Sequence, residues 1–267
     1  MKKETRSLSF EVPAAVLVIA TLALAPFIGG KDQLFGTAGL SILALASLGL
    51  LLWSRQFVRP ISVWPFAAFV GLLAASAVVT ASLHATIEQT LYFAACAAAA
   101  LVASSAMRKD KWFAAALLGF VGAGLVLGAM GVTEYVQQFK INGPGWRVFG
   151  TFINPGYLGG YLVLALPVTL AAFLASRSPA AAIGSGLAIG FEMATMLLTG
   201  TRFAVIAIAA AFIVFVILAL WTQSVGRKQL VRLGIAIAIL AAAVILTAAP
   251  MLYRVKGRVA AQQALRA

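Results

Sequence analysis

Runs of eighteen residues without one charged side chain recur along this chain, and they settle its class before any motif is read. PAAVLVIATLALAPFIGG (residues 13–30) and FAVIAIAAAFIVFVILAL (residues 203–220) are each long enough to cross the hydrocarbon core of a bilayer as a helix. Their abundance excludes a soluble fold. Of 267 residues, 63% are hydrophobic and 10% charged, with a mean hydropathy of +1.02. A water-soluble domain of that size has too much surface for its volume to hide so much apolar area. The sequence therefore predicts an all-α fold, a polytopic transmembrane helical bundle.

The apolar runs predict about nine spans, at roughly 12–30, 34–53, 61–82, 87–106, 112–132, 157–175, 181–199, 203–221 and 230–250. The transmembrane domain is expected to cover 1–250. The polar, basic stretch MLYRVKGRVAAQQALRA (251–267) is expected to begin an external loop or tail and could start an amphipathic helix. With the N-terminus inside, 12 of the 20 basic residues fall on the cytoplasmic side: Lys2, Lys3, Arg6, Arg55, Arg59, Arg108, Lys109, Lys111, Arg177, Arg227, Lys228 and Arg232. Lys31, Lys140, Arg147, Arg202 and the basic residues of the tail fall on the other side. The excess of Lys and Arg marks the cytoplasmic face, which predicts a cytoplasmic N-terminus and an external C-terminus. The longest loop, about 133–156, then faces out, and function is expected there. No signal-peptidase site is indicated.

The net charge of +13 does not point to nucleic acid. The basic residues are spread thinly over span ends, with no block of them interleaved with aromatics. Cys96, the one cysteine, permits no disulfide and no cysteine metal site, and reads as a small buried hydrophobe. No metal and no cofactor is expected. His84, the one histidine, reads as an interfacial residue in the turn before the fourth span, and Glu88 as a favourable charge at that helix start. The tryptophans 53, 64, 112, 146 and 221 lie near span ends, as an interfacial belt predicts. Ala- and Gly-rich stretches such as AACAAAALVASSA and GSGLAIG suit close helix packing in lipid.

The segment GWRVFGTFINPGYLGGYLVLALP, residues 145–167, concentrates glycines, prolines, an Asn and an Arg before a strongly apolar run. Gly143, Pro144 and Gly145 break any helix. Asn154 then caps the next helix, and Pro155 fits its first turn, where the missing N–H costs nothing. The N–H groups of that start point outward, and beside Arg147 they would suit a phosphate. The same residues also read as a well-made loop-to-helix junction with an arginine at headgroup level. Arg202, after Thr199, Gly200 and Thr201, reads as an interfacial arginine or as a phosphate ligand. Glu192 lies about 10 Å below the outer end of its span at 1.5 Å per residue. Intramembrane carboxylates are expensive and tend to face a cavity or a cation, and Arg147 or Arg202 is the candidate charge partner.

RVFGTFINPGYLGGYLVLALP resembles a signature of the O-antigen ligase and O-antigen polymerase-like membrane family, often R-x-F-G-T-F-x-N-P-N-x-L-A-x-Y. LLTGTRFAVIAIAAAFIVFVI is similar to its second signature, an apolar run ending in T-x-S-R before a span rich in small residues. Together they cover about residues 145–221. Ile153, Gly156, Thr201 and Phe203 depart from the usual pattern, while both arginines are kept. The resemblance implies a C-type membrane glycosyltransferase-like fold of about twelve spans in the bacterial cytoplasmic (inner) membrane. It implies transfer of a glycan from a polyprenyl diphosphate carrier to an acceptor on the outer face, in cell-envelope polysaccharide or lipopolysaccharide synthesis, without metal or nucleotide sugar. Arg147 and Arg202 would bind the diphosphate, because the guanidinium fork pairs with phosphate oxygens.

In the family a histidine of a large external loop after the ninth span serves as base. His84 does not match it, so the catalytic residue is unassigned and residues 1–267 alone are expected to bind the carrier without transferring its glycan. The donor glycan, the acceptor and the oligomeric state are not fixed by the sequence. Two other readings stay open: a non-catalytic membrane subunit or scaffold, and a transporter of polyprenyl-linked glycans, which would favour a charge pair at mid-membrane.

Overall fold

The computed structural model describes residues 4–28, 33–53, 63–221 and 226–264. The remaining stretches, which hold Lys2, Lys3, Lys31, Arg55, Arg59 and Arg266 of the charge pattern, lie outside the described residues, as do the side chains of Arg6, Trp221, Arg254, Lys256 and Arg258. The described residues form α1 (Glu4–Ile28), α2 (Gln33–Trp53), α3 (Val63–Ala75), a 3₁₀ turn (Ser76–Val78), α4 (Leu83–Ala106), α5 (Asp110–Asn142), α6 (Pro155–Ala175), α7 (Pro179–Leu198), α8 (Arg202–Trp221) and α9 (Arg227–Ala264), with no strand among them. Five helical stretches are long and apolar enough to cross a membrane: α4, α5, α6, α7 and Arg227–Ala248 of α9. The apolar stretches of α1, α2, α3 and α8 are shorter among the described residues. The chain is an all-helical, multi-pass membrane protein.

Several boundaries depart from the sequence expectation for local reasons. α3 stops at Ala75 rather than near 82, because the Ser76 hydroxyl donates back to Leu73 O at 2.6 Å and a β-branched run, Val78–Thr80, follows. Ser82 then caps α4, accepting from the amide of Ala85. α5 runs about ten residues past its expected end, and Lys140 in its last turn complements the helix C-terminus. α9 passes through Pro250 without a break to Ala264, so most of the expected tail is helix.

The chain forms two compact units that divide within α5, residues 1–119 and 120–267. In the first, α1, α2 and α4 pack around Ala14, Val18, Leu51 and Val102. Phe69 of α3 meets Phe93 of α4 edge-on, with ring centroids 5.3 Å apart. The inward stripe of α4 is Ala95, Ala98, Val102 and Ala106, at helical spacing. Cys96 falls one position off that stripe and is exposed, which corrects its reading as a buried residue. His84 and Glu88 are exposed in the first turns of α4.

In the second unit α7 is the most enclosed span, with 56% of its apolar window buried. α6 and α7 start on the same device: Asn154 before Pro155, and Ser178 before Pro179, each side chain accepting an amide of the first turn. Leu158, Leu162, Leu166, Leu170 and Phe173 of α6 pack on Ile189 and Met196–Leu198 of α7. Hydrophobicity does not drive helices together inside lipid, so close packing must do it. Gly124, Gly128 and Gly131 of α5 face Glu192, the Phe191–Glu192 backbone and Thr195 of α7, where any side chain would collide. The approach lets the Thr195 hydroxyl donate to Gly128 O at 2.7 Å.

Candidate functional site

One carboxylate organises the loop between α5 and α6. Glu134, in the last third of α5, accepts from the indole Nε1 of Trp146 at 3.1 Å, from Phe149 N at 3.2 Å and from Gly150 N at 2.7 Å. Gly150 has φ +59°, a left-handed conformation that turns the two successive amides onto one anion. Trp146 is therefore a structural donor rather than only a member of the interfacial belt. Within this loop, an arch of residues 143–154, Val148 N donates to Leu198 O at 3.3 Å and Arg147 Nε donates to Thr199 O at 2.7 Å. Phe152 sets its ring 6.2 Å from that of Tyr161 on α6.

Those contacts place Arg147 on the C-cap of α7. Its guanidinium is half-buried, and its two Nη groups find no acceptor among the described residues. Gly200 follows with φ +66°, and α8 begins at Arg202. Arg202 is exposed and stands three residues after the carbonyl that holds Arg147, a stretch that spans at most about 10 Å. Thr201 turns its hydroxyl inward to Pro155 O at 3.4 Å instead of capping α8. Gly159 permits this, because a side chain there would press on Ala204 and Thr201. The starts of α6 and α8 are thereby joined. The amides of Arg202, Phe203 and Ala204 find no acceptor among the described residues.

Two sequence expectations change here. The amides at the start of α6 do not face a ligand: Gly156 N donates to Asn154 Oδ1 at 2.7 Å, and Tyr157 and Leu158 N donate to Asn154 O. Asn154 and Pro155 build the junction, and the open amides belong to α8. Nor does Glu192 have an arginine for its partner. Arg147 is bound to Thr199 O, and Glu192, fully buried, accepts from the Thr169 hydroxyl at 3.0 Å while its Oε2 has no partner among the described residues. Glu192, Thr195 and Thr199 share one face of α7 at spacings of three and four, so a polar stripe descends from the Arg147 anchor.

Glu134 belongs to no motif of the sequence. The signal was available: it is the first charge after the uncharged run FAAALLGFVGAGLVLGAMGVT and lies shortly before a glycine-rich loop. Among the described residues, no group of three or more His, Cys, Asp or Glu side chains could hold a metal. No family model, characterised protein or solved structure matches this chain. Loss of the α6 cap in Asn154→Ala is expected to lower stability by about 1 kcal/mol in detergent unfolding, with Asn154→Asp close to wild type.

Proposed function

We propose that this chain is an O-antigen ligase-like membrane protein, of the C-type glycosyltransferase kind, whose loop end binds the diphosphate of a polyprenyl-linked glycan. In this reading nine helices cross the bacterial inner membrane with the N-terminus cytoplasmic, and the arch of residues 143–154 faces out. The carrying observation is the anchoring of Arg147 on Thr199 O, three residues before Arg202 and beside the open amides of α8. A diphosphate there would meet two guanidinium groups and a positive helix end. Glu134 adds no repulsion of first order, because its oxygens are enclosed by three donors of the arch. The transport alternative called for a mid-membrane charge pair, and Glu192 has a threonine partner instead.

The test is binding of polyprenyl diphosphate, with neutral polyprenol as control, to the full chain in nanodiscs. Arg202→Ala is expected to weaken diphosphate binding about tenfold at low salt and less at high salt, because screening diminishes an exposed arginine's contribution. Equal binding of diphosphate and polyprenol, or an unchanged affinity in Arg202→Ala, would refute the site.

A further inference from the structure

A second anion-suited end lies at the opposite pole of the second unit. α6 is 21 residues long, about 30 Å at 1.5 Å per residue, which matches the hydrocarbon thickness of a bilayer. At its far end Arg232 of α9 donates through Nη1 to Leu174 O at 2.9 Å and to Ser176 O at 2.6 Å. These bonds fix the orientation of the guanidinium against the C-terminus of α6. Its Nε and Nη2 find no acceptor among the described residues. Lys228 stands one turn earlier on the same face of α9, and Arg177 directly follows Ser176. Both are exposed. Three cations thus gather here.

Arg232 also closes one end of a groove of about 690 Å³ between α7 and α9, lined elsewhere by apolar residues and glycine. Gly186 and Gly190 form its floor; a Cβ at Gly190 would already touch Ile239 Cγ2 at 3.4 Å. From Arg232 to Leu246 the α9 wall rises about 21 Å at 1.5 Å per residue. That is more than the depth of one leaflet, about 15 Å as half of a 30 Å core. A flat helix face would give annular lipid no preferred seat, whereas this one is concave and ends in an oriented, unneutralised cation.

We propose that the groove holds one hydrocarbon tail of an anionic membrane lipid, with the lipid phosphate on the Nε and Nη2 edge of Arg232. A free phosphate would use the cation but leave the groove without purpose. A zwitterionic headgroup would bring its own cation to three basic side chains. The proposal concerns the pole opposite Asn154 and does not rest on the glycan-carrier reading.

The experiment is native mass spectrometry of the full chain after incubation with equal amounts of phosphatidylglycerol and phosphatidylcholine. Wild type is expected to retain phosphatidylglycerol at least fivefold over phosphatidylcholine, with excess inorganic phosphate failing to displace it. Arg232→Gln keeps a donor for the two carbonyls but removes the charge, and should lose about tenfold of the phosphatidylglycerol while phosphatidylcholine is unchanged. Equal retention of the two lipids by wild type, displacement by inorganic phosphate, or undiminished retention by Arg232→Gln would overturn the proposal. Should that variant fail to fold, Leu246→Trp, at an exposed groove position, reports independently. The quenching it adds over that of the five native tryptophans in the wild type should be greater with phosphatidylglycerol with brominated tails than with phosphatidylcholine so labelled, and equal added quenching would refute the site.

Discussion

Gly128→Ala is expected to destabilise the protein by on the order of 3 kcal/mol, although alanine is the better helix former. At this position a Cβ would lie 2.8 Å from Glu192 N, 2.8 Å from the carbonyl carbon of Phe191 and 2.9 Å from Phe191 Cβ. Two of those atoms are backbone, so no rotamer change relieves the clash and α5 must move away from α7. Overpacking of that kind costs about 1–3 kcal/mol, occasionally more. The movement would also break the buried bond from Thr195 to Gly128 O, worth about 0.6 kcal/mol and at most about 1.7 kcal/mol between membrane helices. Gly122, on the same helix, has no neighbour among the described residues within 4 Å of where its Cβ would lie, its own helix aside. Gly122→Ala should therefore be neutral or stabilising by up to about 1 kcal/mol. Detergent unfolding curves of the two variants check this, and near-equal midpoints would show that α5 and α7 are not packed as described.

Glu134→Ala should produce the largest effect on the loop. It leaves three donors, Trp146 Nε1 and the amides of Phe149 and Gly150, without their acceptor. Bonds to a charged acceptor contribute about 1.5–3 kcal/mol each when buried. These are only partly buried, so a total of roughly 3 kcal/mol is the appropriate scale. The arch would open, and Arg147 would lose the frame that holds it over Thr199. Amide exchange at Phe149 and Gly150 should accelerate by about a hundredfold, since 1.4 kcal/mol is a factor of ten, and under the proposed function polyprenyl diphosphate binding should fall at least tenfold. Glu134→Gln should be intermediate, because its one carbonyl oxygen can replace only part of the carboxylate and its NH₂ opposes a donor. Wild-type exchange rates at Phe149 and Gly150 in Glu134→Ala would show that the carboxylate does not hold the loop.

The contrast between these two residues and Asn154 shows which parts of the site were legible. Asn154 and Pro155 announce a helix start by local chemistry alone, and the cap forms as the residue types require. Glu134 acts on donors twelve to sixteen positions away, and no local rule ties a carboxylate to a particular loop. The same distinction explains Glu192. Its depth marked it as unusual, but the choice between an arginine and Thr169 depends on which helix lies beside α7.

What the sequence by itself determined was the membrane class, the order of the helices and the junction where Gly, Pro and Asn punctuate the chain. Those follow from apolar length and from backbone preferences acting over a few residues. Only the tertiary structure decided that α5 lies against α7 closely enough to exclude any side chain at Gly128. It likewise decided that the open amides belong to α8 rather than α6, and that Arg232 serves the end of α6. Such pairings are set by shape and by buried polar groups seeking partners across long sequence separations. In lipid both the packed and the lipid-facing surfaces of these helices are largely apolar, so hydrophobic pattern does not distinguish the face that meets a neighbour from the face that meets the bilayer.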